Sequence, residues 1–384
     1  MKVRFPIARG LDWAFIACAF SLLAYPAARI DLDKTVLDRE KRTISVWPDA
    51  ALWRRLDPEL GRDIEKWFND RFGGRDWWLD AQARLDAVLN GLIRNDDVFS
   101  GREGWLFYNQ GGSVQSFQNI DTFTRFGRMI IRKNIVSRSD WLKKLGSSYT
   151  VLVVPAKNRI YGEYYPPGIR VVGPVGRAEQ MVQNLQSDTA VPIVFAQDDL
   201  LEAKKGEDSL LYFQQDTHWT DEGAFVGYQA LMRKIQREHP EAGMRERSEF
   251  QWERQAERGG DLTHLTRFKA VPGSSGVRYG MLVSTQKFAF LPAPPQLGEE
   301  SRTVCYGRPF RVWVFMDSFG VALQPFVSAT FGEVAYVRSH SFNEYQKAIV
   351  AFGPDLVIHE VAERLMPSLL MNQPPLNPVD SHAF

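Results

Sequence analysis

Asp216 and His218 are the pair in this sequence best suited to chemistry, in the stretch Gln214–Phe225. In an extended backbone, residues two apart leave on one face, so the carboxylate can reach the imidazole while Thr217 points away. On a helix the same spacing turns them roughly 200° apart, so the pair requires a strand end or a loop. A carboxylate on one ring nitrogen frees the other to take a proton from a nucleophile and stabilises the imidazolium that results. The nucleophile on offer is Ser318, in the run FRVWVFMDSFG from Phe310 to Gly320. A serine at a strand-to-helix turn is exposed at a sheet's carboxyl edge, and its own amide can join an oxyanion hole. Set against this are plain alternatives: a loop histidine bonded to its neighbour, and a serine that merely follows a strand. Conjoined, the three residues suggest hydrolysis or acyl transfer.

The elements needed to position them are legible around them. Thr220 is a credible N-cap, Asp221 and Glu222 place negative charge at a helix's positive end, and Phe225, Tyr228, Leu231, Met232 and Ile235 form its apolar stripe up to Pro240. A helix is expected from Ile131 through Trp141 and Leu145, and a hairpin over Val98–Tyr108. Apolar runs read as strands at Thr150–Val154, Val191–Phe195, Leu210–Phe213, Arg311–Met316, Val334–Val337 and Leu356–His359, with helical segments between most of them. That alternation implies an α/β sandwich around a mainly parallel sheet, in which ligands collect beyond the strands' carboxyl ends. Asp216, Ser318 and Glu360 each follow such a run. The section from about 245 to 297 is less regular and is expected to be an insertion or lid.

Composition narrows the function. The 384 residues are 44% hydrophobic, enough for a substantial core, and 47 basic against 46 acidic residues leave a formal net charge of +1. No global field draws such a chain to nucleic acid. Its cysteines, Cys18 and Cys305, make no disulfide framework. The lack of CxxC, HExxH, Walker and dinucleotide glycine motifs argues against zinc, ATP and NAD, so no cofactor and no metal are expected. Asp216-x-His218 could still ligate a cation, with His359-Glu360 the one rival partner.

Residues 1–30 carry an apolar stretch, Trp13–Ala28, after Lys2, Arg4 and Arg9. Its length suits either a signal peptide or a short membrane anchor. Pro26 spoils the obvious cleavage site, which favours an uncleaved anchor. Residues 31–50 read as a juxtamembrane linker, and 51–384 as one α/β domain, opening with a helical pattern over Ala51–Ile93.

Five blocks together resemble a known family. GREGWLFY (Gly101–Tyr108), VPAKNRIYGEYYP (Val154–Pro166), DTHWT (Asp216–Thr220), GGDL (Gly259–Leu262) and MDSFG (Met316–Gly320) are similar to the alginate O-acetyltransferase family of AlgJ-type and AlgX-type proteins, over roughly Phe68 to Glu363. The resemblance implies an SGNH-hydrolase-like domain in the periplasm with Ser318, His218 and Asp216 as a triad. It also implies acetyl transfer to hydroxyls of an exopolysaccharide, beside a membrane-bound O-acyltransferase that supplies acetyl. Met316 departs from the family of related hydrolases, many of which have glycine before Asp-Ser. The chain's end at Phe384 leaves no room for an AlgX-type carbohydrate-binding module, so the AlgJ-like arrangement is expected. Asn158, placed after a strand, is a candidate oxyanion donor. Arg364 and Trp219 are candidate substrate contacts, with a structural ion pair as the plainer role for Arg364. An acetylesterase, or a non-catalytic sugar-binding scaffold of an export complex, are the competing readings.

Overall fold

A computed structural model describes residues 97–370, apart from 167, 187–190, 207–208, 257–259, 267–277, 285–287, 293–297 and 299, together with a discontinuous set between 13 and 81. The chain divides into two compact units, Met1–Gly91 and Leu92–Phe384.

In the first unit the described helix is Glu59–Arg71. Ser45 closes onto its end: its amide and hydroxyl both donate to the Asp70 carboxylate, and Arg71 donates back to the Ser45 carbonyl. The rest of the helical pattern expected over 51–93 lies almost wholly outside the described residues. So does much of the expected 1–30 anchor, and among the described residues no helix is long and apolar enough to cross a membrane.

The second unit holds the sheet. Its strands are β1 (Val98–Ser100), β2 (Leu106–Tyr108), β3 (Ser148–Val154), β4 (Ile193–Phe195), β5 (Gln251–Ala256), β6 (Arg278–Ser284), β7 (Ala289–Leu291), β8 (Ser301–Val304), β9 (Arg311–Phe315), β10 (Glu333–Val337) and β11 (Leu356–Ala362). Seven of them form one sheet in the order β4-β3-β11-β9-β10-β8-β7. The five from β4 to β10 run parallel, and β8 and β7 add an antiparallel edge. Both faces of the parallel part are covered, which is why its strands read as unbroken apolar runs. Leu152, Val154, Val312, Val314, Leu356 and Ile358 enter one core; Val151, Val153, Trp313, Phe315, Val357 and Val361 enter the other, as the two-residue period requires.

Helix α1 (Arg125–Lys144) packs against β3, while α2 (Asp221–Ile235), α3 (Asp261–Thr266) and α4 (Gly320–Thr330) carry or adjoin the site. The α2 stripe read from the sequence is buried throughout, and Thr220 caps the helix by accepting from the Gly223 amide. One strand expectation fails. Residues 210–213 form no strand; Tyr212 makes a single antiparallel bridge to Trp219, closing residues 213–218 into a tight loop. Within the section from about 245 to 297, β5 and β6 pair as a separate ribbon, whereas β7 belongs to the main sheet's edge.

Candidate active site

The loop that carries Asp216 and His218 is wound around a buried cation. Lys157 is only 5% exposed, and its ammonium donates to the carbonyls of Phe213 (3.3 Å), Gln214 (3.2 Å) and Asp216 (2.8 Å). Below it lie the rings of Phe107 and Trp105, 5.1 and 5.6 Å from the nitrogen. The β1–β2 hairpin supplies those rings and pins the loop further, through Leu106 N to Gln214 O and the Gln214 side chain to Glu103 O. A loop that turns several carbonyls inward needs a donor among them, because unpaired buried acceptors are costly. Lys157 is that donor.

At the loop's tip the side chains meet as the spacing allows. Asp216 Oδ1 accepts from the His218 amide (2.9 Å) and lies 2.6 Å from His218 Nδ1. On the other side of the ring, Nε2 lies 2.7 Å from Ser318 Oγ, 100 residues further along the chain. The tautomer with hydrogen on Nδ1 satisfies both contacts, with the serine hydroxyl donating to Nε2. Burial alone disfavours a charged Asp216, but hydrogen bonds from His218 and from the Asp261 amide outweigh it and hold the carboxyl well below the usual range.

Ser318 stands between β9 and α4 on a turn organised by two buried carboxyls. Asp317 accepts from the amides of Phe319 (2.8 Å) and Ala362 (2.7 Å). Glu360 accepts from the Asp317 amide (2.9 Å), and the Gly320 amide also acts on it. Burial, together with the adjacent Asp317 charge, pushes the Glu360 carboxyl well above its ordinary value, which favours the neutral acid. For Asp317, burial is outweighed by the His340 ring, whose Nε2 lies 3.8 Å away, and by hydrogen bonds from the two amides, which hold it low. Glu360 was expected past the end of its strand; it lies within β11, fully buried beneath the turn. Among the described residues the Ser318 amide has no hydrogen-bond partner, so it is free to meet an oxyanion. Met316 is accommodated by Gly320: a Cβ there would stand 2.5 Å from the Met316 Cβ, so the bulk before the serine is matched by its loss after it.

An open cavity of about 400 Å³ faces Ser318, lined by Trp219, Leu282, Val321, Ala322 and Pro325, with Asp221 and Arg338 as its charged groups. Trp219 contributes to its floor but is 1% exposed, and its indole N–H donates to the Phe319 carbonyl (2.9 Å). It therefore fastens the serine turn and offers no open stacking surface. Asn158 is not brought to the cavity: it is buried, and its amide donates to Ser113 O and Tyr165 Oη, each at 3.3 Å. Arg364 makes no ion pair among the described residues, contrary to expectation. Its guanidinium sits over the Phe319 ring at 5.1 Å and beside Tyr108 at 6.0 Å.

Lys157 and Asp261 escaped the sequence reading as contributors to the site, whereas Glu360 was read as a candidate at the sheet edge and instead supports the serine turn from within its strand. Lys157 and Asp261 lie inside the VPAKNR and GGDL blocks, which were the available signal. Asp216, His218 and Asp261 each offer an atom within 4.8 Å of the others, a spacing that could hold a cation. In the hydrogen-bonded arrangement, however, Nδ1 is committed to Asp216 and both Asp261 oxygens already accept from Thr217.

Residues 98–289 match the family model of the SGNH hydrolase-like domain of the acetyltransferase AlgX, half of the chain. The match takes in Asp216, His218 and Asp261 and stops short of Ser318. The chain is similar to the probable alginate O-acetylase AlgJ of Pseudomonas syringae pv. tomato, 27% identical over 266 residues, 67% of this chain and 58% of that protein. It thus spans little more than half of that relative's length. Among solved structures it resembles a DHHW family protein from Eubacterium siraeum (14% identity, TM-score 0.52, 73% of this chain and 97% of that one). It also resembles Bacillus cereus PatB1 (15%, TM-score 0.51, 72% and 97%). At these identities the two structures speak to the fold, which is SGNH hydrolase-like with a mixed sheet.

Proposed function

Because this chain belongs to the AlgX family of SGNH hydrolase-like acetyltransferases, we propose that it moves acetyl groups onto hydroxyls of an exported polysaccharide, alginate or a similar polymer, through an acetyl-serine intermediate. The observation that carries this reading is the continuous line from Asp216 through His218 to the Ser318 hydroxyl, with a serine amide beside it that has no partner among the described residues. In the first step the Ser318 proton passes to His218 Nε2 as Oγ bonds to the acyl carbon; the donor's leaving group departs with that proton. In the second, an acceptor hydroxyl gives its proton to Nε2 and bonds to the acyl carbon, the Ser318 ester bond breaks, and Oγ takes the proton back. Throughout, Asp216 supports the transient imidazolium. Transfer prevails over hydrolysis where the acceptor is held against the ester, since good orientation is worth effective molarities of about 10⁵ M or more.

The setting that goes with this reading is the periplasm, with residues 1–30 anchoring the chain and a membrane-bound O-acyltransferase supplying acetyl. Arg364, whose guanidinium lies on the ring beside the serine and makes no ion pair among the described residues, is the residue we assign to contact the acceptor. The test is transfer from an activated acetyl ester to a soluble polysaccharide, read by NMR of the polymer. Acetylated polymer from the wild type and none from Ser318→Ala is the expected result. Free acetate with unmodified polymer would make the protein an esterase, and full activity in Ser318→Ala would end the serine mechanism.

A further inference from the structure

His218 Nδ1 has a second carboxylate in reach. Asp261 Oδ2 lies 3.6 Å from it, beyond the 2.6 Å contact to Asp216. Asp261 comes from the first turn of α3, remote in sequence from both, and it grips the loop at three points. Its amide donates to Asp216 Oδ2 (2.8 Å), its Oδ1 accepts from the Thr217 amide (2.7 Å), and its Oδ2 accepts from the Thr217 hydroxyl. The residue before it must be glycine, since a Cβ on Gly260 would stand 2.3 Å from the Asp216 Cβ. The approach of α3 to the loop is therefore built in.

Two consequences separate. The Asp261 amide fixes the rotamer of Asp216. The Asp261 carboxylate is held by Thr217, independently of the Asp216 side chain, with an oxygen already poised near the same ring nitrogen. We propose that Asp261 is a positioning residue of the acyl-transfer site and its reserve carboxylate: it orients Asp216 in the wild type and accepts from His218 Nδ1 when Asp216 is lost. This rests on the acyl-transfer reading above.

A double-mutant cycle tests it on the purified full chain, using an activated phenyl acetate as donor and thermal denaturation to verify folding. Asp216→Ala alone is expected to lower kcat about 10²-fold, less than the roughly 10⁴-fold that an unsupported histidine suffers when its aspartate is lost. Asp261→Ala alone should cost about tenfold in kcat with KM little changed. Together they should fall about 10⁴-fold, more than the product of the single losses, because the reserve is then gone. Asp261→Asn keeps an oxygen for the Thr217 amide but not the charge. It should fall less than Asp261→Ala in the wild-type background, yet fail equally beside Asp216→Ala. A double variant no slower than Asp216→Ala, or losses that simply multiply, would overturn the reserve role. Ser318→Ala run alongside keeps the two failures apart: if it stays active, the acyl-transfer reading falls, whereas its inactivity with a multiplicative cycle removes only the role of Asp261.

Discussion

The two rims that meet at Ser318 are built on opposite electrostatic plans. The histidine loop turns carbonyls inward and is gathered around the Lys157 ammonium. The serine turn points amides inward and is gathered around the Asp317 carboxylate and the Glu360 carboxyl. Each irregular stretch of backbone thus exposes one kind of orphan polar group, and each is matched by a buried side chain of the complementary kind. The comparison teaches that the line from Asp216 to Ser318 depends on support outside itself. The histidine side depends on a cation from the end of β3, and the serine side on an acid from the middle of β11.

That contrast can be broken at several strengths. Removing the line itself should cost most: Ser318→Ala or His218→Ala is expected to lower acetyl transfer by about 10⁴-fold or more with folding intact, read by steady-state kinetics beside thermal melts. Next comes the histidine side. Lys157→Met removes the ammonium that three carbonyls share, so stability should fall by about 3 kcal/mol in urea titration. As the loop relaxes, kcat should drop about 10²-fold. On the serine side, Glu360→Leu leaves the Asp317 amide without its acceptor and should cost about 1–3 kcal/mol, while Glu360→Gln retains an oxygen and should cost less. If the two side chains were merely space-filling, Met and Leu would be tolerated alike.

The Glu360 pair also sharpens the comparison through pH. The folded carboxyl titrates well above its ordinary value, so the folded chain retains a proton that the unfolded chain releases above about pH 4.3. Its contribution is therefore full below that pH and declines as pH rises toward the folded value. Glu360→Gln has no such proton to lose, so its stability should change less than the wild type's between about pH 5 and pH 8. Asp317 does not confuse the measurement: its folded value is lowered, so its contribution is lost only as pH falls below about 3.9. The smallest effect expected is at Arg364. Arg364→Ala should raise KM for the polysaccharide acceptor a few-fold and leave the burst with an activated ester unchanged.

Much of this was legible beforehand, for identifiable reasons. The parallel strands announce themselves because burial on both faces leaves them uniformly apolar, and α2 because Thr220 and the Phe225–Ile235 stripe obey helical spacing. The pair Asp216 and His218 could be read because their interaction is local. What escaped was carried by contacts far apart in sequence. Nothing local distinguishes Lys157 from a surface lysine, or Asp261 from a loop aspartate, until the chain folds Phe213–Asp216 and Thr217 onto them. Glu360 reads as an edge residue because a carboxyl inside a buried strand is costly unless it has partners, and its bonded partner is the Asp317 amide, 43 residues upstream. Arg364 was expected to find an anion and instead lies on an aromatic ring, a pairing that spacing does not reveal.

The most direct test is the intact mass of the full chain after brief exposure to an activated acetyl ester, with peptide mapping of the product. The account predicts one added acetyl group, located on Ser318, absent from Ser318→Ala and discharged on addition of an acceptor polysaccharide. Turnover without any acetyl on Ser318, or the same adduct in Ser318→Ala, would contradict it.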